Sequence, residues 1–349
     1  MESAAHRDLM LDAGFKRNGI GAARGAGLSL PCMTGRPDKL PLVYTIVLNW
    51  NRPELTLRCL ASLDAVEYAN HEVVVVDNGS TDDSVLRIRE RYPPLRIIET
   101  GANLGYAGGN NVGIRAAHEA GADYVLMLNN DAVLTPGCIG TLVAAAEADT
   151  AAGALSPKIM RFDGGIAYEG ASFDRRLAYV SRHRGPTSTD APVDVGFAPG
   201  TSLLIRMTAI QQTGLLDESF FLYWEDVEYS HRLTQHGWRL LYVPTALVHH
   251  EVGGSSDEPG AHTSAMDYYN TRNFFWFVRR NHRLRDRLPA ETYYFVYVLK
   301  RLRRIISSEQ RKVTKLSALA RGVIDGHLGR TKAMVPQLVD TPAFADRQK

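Results

Sequence analysis

Apolar residues along this chain alternate between short continuous runs and longer stretches of helical spacing. Val43-Tyr44-Thr45-Ile46-Val47-Leu48 is a β-branched run of buried-strand length. Asn49-Trp50-Asn51-Arg52-Pro53 breaks it, and Leu57, Leu60 and Leu63 then predict a helix over residues 54–63. A second strand is predicted over 72–76, running into the turn-rich Asp77-Asn78-Gly79-Ser80-Thr81-Asp82. A helix follows over 83–92, with acids near its N-terminus where they complement the dipole. The beat continues with a strand over 96–99, a Gly/Asn-rich loop, a helix over 110–120, and a strand over 124–128 ending at Asn129-Asn130-Asp131.

This β-α-β-α-β-α-β series predicts an α/β fold with a parallel, doubly wound sheet. In such sheets ligands collect beyond the carboxyl ends of the strands. Asn49 and Asn51, Asp77, Asn103, and Asn129 through Asp131 all follow strand ends, so they are expected to converge on one crevice. Any one of them could simply make a turn, but four in succession weaken that reading.

The remainder is less regular. Hairpin segments are expected around 165–180 and 193–206, and a helix over 225–235 stopping at Gly237. A strand over 239–243 meets Pro244, and 248–256 reads as a polar loop. From Met266 onward the chain reads as helices. Residues 293–306 mix an apolar run with Lys300, Arg301, Arg303 and Arg304, the composition of an interfacial amphipathic helix. No internal repeat is present.

Composition narrows the class. The 349 residues carry 40 Lys+Arg against 38 Asp+Glu, with 45% hydrophobic and 22% charged residues, an ordinary globular balance that excludes collagen-like, disulfide-scaffold and wholly disordered chains. Cys32, Cys59 and Cys138 are widely spaced with no CxxC pair, which argues for a reducing compartment and against a cysteine zinc site. No apolar run approaches the roughly 18–20 residues that span a bilayer. Residues 1–40 lack the apolar stretch of a secretory signal and read as a weakly ordered extension, with one short helix conceivable around 7–15. Between Arg272 and Lys315 there are 13 Lys/Arg against three acids, whereas the rest of the chain holds 27 basic and 35 acidic residues. A basic tail on an acidic body points to an anionic surface, with a solvated helix face as the alternative.

The candidate chemistry lies in a few clusters. Asn129-Asn130-Asp131 places a carboxylate after a hydrophobic strand, where it can bind a hard divalent cation, although an Asx turn also explains it. His250, beside glycines, alone reads as a surface residue; with Asp131 it could supply one nitrogen and one oxygen to Mn2+ or Mg2+. Glu225-Asp226 follows four aromatics within 220–224, so apolar surroundings could raise a carboxylate pKa towards a useful general-base value. The dipole at a helix start pulls the other way, and plain capping with a salt bridge to Arg232 is the competing account. The segment Asn103-Leu104-Gly105-Tyr106-Ala107-Gly108-Gly109-Asn110-Asn111 can bring backbone amides to a nucleotide. It is not GxGxxG and no GxxxxGK[ST] occurs, which disfavours a Rossmann dehydrogenase or a P-loop NTPase.

These residues carry a family likeness. From about residue 42 to 256 the chain resembles inverting glycosyltransferase family 2, and within it the rhamnosyltransferase-like enzymes of bacterial surface-polysaccharide assembly. Five ordered blocks support the resemblance: residues 46–51, 76–82, 103–111, 128–131, and 220–232 followed by 250–255. It implies a GT-A fold, mostly parallel in its central sheet, with a C-terminal helical extension. It further implies that Asp77 reads the nucleobase, that Asn49, Asn51, Asn103 and Gly105 line the nucleoside pocket, and that Asn129-Asn130-Asp131 stands for the DXD metal motif. Asn replaces Asp at that motif's first position, so the metal, Mg2+ or Mn2+, relies on Asp131 and His250. Asp226 matches the general base, with Glu225 and Arg232 as supports; Gly200, Thr201 and Trp224 match acceptor-side positions. Tyr269, Arg272 and Asn273 resemble a segment beyond the metal histidine, where Arg272 would pair with the donor diphosphate.

The implied organisation is an extension over 1–40, a transferase domain over 41–262, a basic helical region over 263–335 and a tail over 336–349. The implied reaction is one in-line displacement from a nucleotide-diphosphate sugar, dTDP-rhamnose among the donors, to a hydroxyl of a glycan or lipid-linked acceptor. The chain is expected in the cytoplasm, with residues 272–315 available to the inner face of the cell membrane. A non-catalytic relative that binds nucleotide or glycan in an assembly complex is the alternative. No nucleic-acid module accompanies the basic segment, so a nucleic-acid partner is not expected.

Overall fold

The computed structural model describes residues 40–183, 189–251 and 263–331. The short helix expected around 7–15 and most of the polar loop after His250 lie outside them, as does nearly all of the tail.

The described residues form twelve strands and nine α-helices, and the first of them, through β4, follow the expected order. They are β1 (Val43–Asn49), α1 (Pro53–Leu63), β2 (His71–Asp77), α2 (Ser84–Arg91), β3 (Arg96–Glu99), α3 (Gly105–Glu119) and β4 (Tyr124–Asn129). Next come β5 (Ala132–Leu134), α4 (Cys138–Ala148), β6 (Ala152–Arg161), β7 (Ile166–Tyr168), β8 (Ala171–Asp174), β9 (Tyr179–Arg182), β10 (Val193–Asp194), β11 (Ser202–Arg206) and α5 (Met207–Thr213). The chain continues through α6 (Glu225–Gln235), β12 (Arg239–His250), α7 (Ser264–Asn281), α8 (Leu284–Ser308) and α9 (Lys312–Leu328).

The main sheet runs β10-β12-β6-β11-β4-β1-β2-β3. β3, β2, β1 and β4 are parallel neighbours, and β11 is antiparallel to both β4 and β6. Val47, Val75, Leu126 and Leu128 face one core with α1 and α4, while Ile46, Val74, Val76 and Met127 face the other with α3, α5 and α6. Burial on both faces is why these strands read as unbroken apolar runs, each large side chain adding roughly 1.5–3 kcal/mol. A third cluster joins α7, α8 and α9 to Phe220 and Trp224, so the C-terminal helices pack directly on the segment that precedes α6.

Several elements depart from expectation. α3 begins at Gly105, five residues before the expected start, because a positive φ of 76° at Gly105 turns the chain into the helix. β12 does not end at Pro244: it runs on to His250 across a register shift between Val243 and Leu247, the kind of irregularity that tolerates proline. His250 therefore closes a strand instead of sitting in a loop. Residues 193–206 form no hairpin, since β10 pairs with β12 and β11 with β4 and β6. In the 165–180 region β7 joins β6, while β8 and β9 make a separate two-stranded hairpin.

Candidate active site

The carboxyl ends of β1, β2 and β4 lie side by side, with Asn49 level with Asp77 and Leu48 level with Asn129. This register assembles one polar network. Asn49 Nδ2 donates to Asp77 Oδ1 (2.7 Å) and Ser80 Oγ (3.0 Å), and Thr56 Oγ1 donates to Asn49 Oδ1 (2.5 Å). Asn130 Nδ2 donates in turn to Thr56 Oγ1 (3.0 Å). The Ser80 amide caps Asp77 Oδ2 at 3.0 Å, and the Thr81 amide donates to Asn51 Oδ1 at 2.9 Å. Buried polar groups need such partners, and here they lock the strand ends together. Asn49 is fully enclosed with both side-chain atoms engaged, so it holds Asp77 in place and presents nothing to a ligand. That corrects its expected place in the lining of a nucleoside pocket.

Asn103 Oδ1 accepts from the Gly105 amide (2.8 Å) and from Asn78 Nδ2 (3.2 Å), while Asn78 Oδ1 accepts from the Leu104 amide (2.9 Å). Asn78, Thr56 and Ser80 were not singled out from the sequence; as plain Asn, Thr and Ser at turns they carry no signal until the strands are aligned. Gly105 also changes role. A Cβ there would meet the Phe221 carbonyl oxygen at 2.4 Å, so this glycine admits the 220–224 segment, not a nucleotide.

β5 turns back beside β12 and pairs His250 with Ala132. Asp131 Oδ1 thereby lies 3.1 Å from His250 Nε2. Asp131 is buried, and among the described residues its Oδ1 has no aligned hydrogen-bond donor; the neighbouring Asn129 Oδ1 is likewise buried without one. An orphaned carboxylate oxygen facing an imidazole nitrogen fits a hard divalent cation. No third His, Cys, Asp or Glu joins them among the described residues, so further ligands must come from substrate or water.

The acid pair is tied to the end of β4 through the Gly200-Thr201 dipeptide. Asp226 Oδ2 accepts the Gly200 amide (3.2 Å), and Asp226 Oδ1 accepts the Val227 amide (2.8 Å). The adjacent Thr201 carbonyl accepts the Asn129 amide (2.9 Å), so the Gly200-Thr201 dipeptide ties the end of β4 to the start of α6. Tyr106 fills the gap, donating its hydroxyl to the Gly200 carbonyl (2.5 Å). Burial first, then the charges of Glu225, Asp226 and Asp131, push the Tyr106 phenol well above its usual range. Asp131 and Asp226 thus act on one phenol although 95 positions separate them in sequence.

Burial raises the pKa of Asp226 against the backbone amides of Gly200 and Val227, which lower it. Burial and the Asp226 charge raise Glu225 further, and Glu225 Oε2 has no hydrogen-bond partner. The opposing pulls at this helix start therefore resolve in favour of burial. Burial, joined at Glu225 by the Asp226 charge, thus raises both carboxyl groups above the range of free carboxylates.

Three other expected site residues lie elsewhere. Arg232 pairs with Glu228, one turn away (2.8 Å), and donates to the Thr213 and Leu215 carbonyls (2.7 and 2.9 Å). It supports the end of α5 and not the acid pair. Arg272 is fully buried in α7, giving Nη2 to the Ser219 and Phe220 carbonyls (both 2.8 Å) and Nε to Asn273 Oδ1 (2.7 Å). No donor diphosphate can reach a guanidinium enclosed in this way. Trp224 turns its indole onto Phe274 and Phe277 of α7, with centroids 5.4 and 5.5 Å apart, instead of towards an acceptor.

These contacts explain how the acid pair is held. Phe221, Tyr223 and Trp224 have φ of 61°, 64° and 72°, left-handed values costing on the order of 1–3 kcal/mol each in non-glycine residues. Asn273 Nδ2 donates to the Phe220, Leu222 and Tyr223 carbonyls (2.8, 2.9 and 2.7 Å), so α7 clamps this strained segment from outside.

Comparison with known proteins places this geometry in context. The family model described as Glycosyl transferase family 2 matches residues 44–213. The chain is similar to an N-acetylglucosaminyl-diphospho-decaprenol L-rhamnosyltransferase of Mycobacterium tuberculosis, 34% identical over 233 residues, which cover 60% of this chain and 76% of the relative. A dTDP-rhamnosyl transferase of Shigella flexneri is 24% identical over 297 residues, or 83% of this chain and 96% of the relative. Among solved structures, GalNAc-T7 with UDP, GalNAc and Mn2+ superposes with a TM-score of 0.55 at 16% identity, over 69% of this chain and 48% of its own. Residues 1–349 of S. aureus TarS superpose with a TM-score of 0.53 at 15% identity, over 83% of this chain and 82% of theirs. At these identities the likeness is one of fold.

Proposed function

This chain belongs to glycosyltransferase family 2 and is a glycosyltransferase of GT-A-like fold, and from that premise we propose that it transfers a sugar with inversion from a nucleoside-diphosphate donor to a hydroxyl of a lipid-linked or polysaccharide acceptor. dTDP-rhamnose is the first donor to test and an N-acetylglucosaminyl diphospholipid the first acceptor, because relatives are named for them.

In this reading Asp226 accepts the acceptor hydroxyl proton as that oxygen attacks the anomeric carbon. Burial raises its pKa, which strengthens it as a base relative to a free aspartate. The Gly200 and Val227 amides fix the direction of its lone pairs, while burial and the Asp226 charge both favour the neutral form of Glu225. On the donor side, Asp77 and Asn103 face the nucleoside and Asn51 closes the loop over it. Asn129 and Asn130, being uncharged, admit a polyanion beside Asp131. A divalent cation held by Asp131 and His250 would neutralise charge developing on the leaving diphosphate. One attack with no covalent intermediate inverts the anomeric configuration.

The observation that supports the reading is the link through Gly200-Thr201, which joins Asp226 to the end of β4, two residues before Asp131. Replacing Asp226 with Asn should abolish turnover, by at least about 100-fold, while donor affinity by calorimetry stays within about threefold. Unaltered turnover would remove Asp226 from the mechanism.

α8 supports a further element of the proposal, contact with an anionic bilayer. Leu284, Leu288, Phe295, Leu299 and Ile306 are exposed at spacings of four and seven residues, forming one stripe bordered by Arg285 and Arg303. No helix among the described residues is long and apolar enough to cross a membrane. Charge complementarity therefore favours a surface contact with acidic lipids. Flotation with phosphatidylglycerol vesicles should be lost in L288E/F295E and weak on phosphatidylcholine; equal binding by the variant would refute it.

A further inference from the structure

Tyr106, the second residue of α3, stands where the Asn103–Gly105 turn, the strained 220–224 segment and the acid pair meet. Its amide donates to the Phe221 carbonyl at 2.6 Å, and its hydroxyl to the Gly200 carbonyl at 2.5 Å. Gly200 in turn gives its amide to Asp226 Oδ2 at 3.2 Å. The tyrosine therefore touches two routes to Asp226, the backbone that runs from Phe221 into α6 and the side-chain contact through Gly200. On its other side Asn78 anchors the same turn, donating Nδ2 to the Gly105 carbonyl at 3.1 Å and accepting the Leu104 amide at 2.9 Å. Asn78 directly follows Asp77, so covalent and hydrogen bonds run unbroken from the end of β2 to Asp226.

Gly200 is shaped to receive this side chain. A Cβ there would lie 2.7 Å from the Tyr106 hydroxyl oxygen and 3.1 Å from Cζ, closer than a side-chain carbon tolerates. Fixed points flank the glycine: Ser230 Oγ of α6 accepts the Ala198 amide at 3.2 Å, and the Thr201 carbonyl accepts the Asn129 amide at 2.9 Å. Between them the Gly200 carbonyl meets the phenol. A glycine has more backbone states open to it than any other residue, and a hydrogen bond on its carbonyl selects among them. Burial and the neighbouring carboxylates keep the phenol protonated, so it stays a donor. Phenylalanine would fill the same space without that donor.

We propose that Tyr106 is a positioning residue for the transfer: its hydroxyl fixes Gly200, and Gly200 aims the carboxylate of Asp226 at the acceptor hydroxyl. The inference rests on the transferase reading and adds to it a residue that acts through Gly200. Asp226 is tied by one amide on each oxygen, Gly200 on Oδ2 and Val227 on Oδ1. Losing one tie lets the carboxylate turn, and a misplacement of about 1 Å costs about 100-fold in rate. The same loss takes a hydrogen bond from the charged form, so the pKa of Asp226 should rise. The Val227 amide and the charge of Arg182, which also lower it, stay in place, as does its neighbour Glu225.

The test compares Y106F with wild type in the full chain. Y106F should lower kcat for sugar transfer by about 10–100-fold, with donor affinity in calorimetry unchanged. A second readout needs no substrate. In protein labelled with carbon-13 at the aspartate side-chain carboxyl, the resonance missing from D226N reports Asp226, and its titration midpoint should rise by about half a pH unit or more in Y106F. G200A, whose Cβ displaces the phenol, should raise the midpoint likewise, and Y106F should add little to it because both break one contact. A mere loss of packing would lower the melting temperature and leave the midpoint where it was. An unmoved midpoint overturns the proposal whether or not kcat falls, as does a Y106F protein that turns over like wild type. A wild type that binds and hydrolyses no nucleotide sugar would overturn the transferase reading instead, and the titration would still decide whether Tyr106 aims Asp226.

Discussion

Truncating Asn273 to Ala removes the clamp on the segment that delivers the acid pair. Its amide donates to three carbonyls, those of Phe220, Leu222 and Tyr223, and it is fully buried. The Phe220 carbonyl keeps Arg272 Nη2 at 2.8 Å, but those of Leu222 and Tyr223 lose this donor. The Leu222 and Tyr223 carbonyls are partly buried, so each loses about 0.5–1 kcal/mol with its donor and the variant should lose about 1–2 kcal/mol. At about 2 °C per kcal/mol for a chain of this size, the melting temperature should fall by about 2–4 °C. Relaxation of the positive φ values at Phe221, Tyr223 and Trp224 would then swing Glu225 and Asp226 away from Gly200. Since the donor-side residues sit on the ends of β1, β2 and β4, kcat should fall by at least about tenfold, roughly 1.4 kcal/mol, with donor affinity preserved. Differential scanning fluorimetry and steady-state kinetics read both effects. A melting temperature within 1 °C (about 0.5 kcal/mol) together with wild-type kcat would refute the clamp.

Other outcomes follow from the same contacts. Because burial raises the pKa of Asp226 and activity needs it deprotonated, the acid limb of kcat/KM should lie above the free-aspartate range; R182Q, which removes a lowering charge, should move that limb to higher pH. Buried Arg301 pairs with Asp267 at 2.6 Å and with Glu309, which also holds Lys315 at 2.6 Å, so R301M should destabilise by about 3 kcal/mol, chiefly through the lost buried pair to Asp267, measured by urea unfolding at pH 7. The pairing lowers Glu309 to about 2, so its contribution is complete above the ordinary value of 4.5 and fades as pH falls towards 2; E309Q should lack this part of the acid sensitivity. D131N and H250A should each weaken Mn2+ binding by at least about tenfold in calorimetry, as expected on losing one of two protein ligands, and equal affinity would exclude that pair. Substituting Gly105 with Ala forces a Cβ against the Phe221 carbonyl and should lower stability by more than about 1 kcal/mol, read as a fall in melting temperature.

Much of this arrangement was legible in the one-dimensional pattern. The first four strands and three helices, and α6 over residues 225–235, came through because each carries a strong period and buries a face that only apolar residues can fill. The crevice was legible too, since polar residues at successive strand ends of a parallel sheet must gather on one side. What local pattern could not supply was which of those polar groups turn to a ligand and which to one another. Asn49 and Asn103 look alike in sequence, yet the register of β1 on β2 encloses the first completely. Arg232 and Arg272 looked like partners for charge at the site; Glu228 lies nearer to the first, and α7 buries the second against carbonyls of Ser219 and Phe220, 53 and 52 residues earlier. The path of β12 past Pro244 and the meeting of Asp131 with His250 depend on contacts between distant segments. Side-chain type and spacing determine the elements, because backbone and burial preferences act over a few residues; the partner of each polar group is decided only when packing brings far parts of the chain within hydrogen-bond reach.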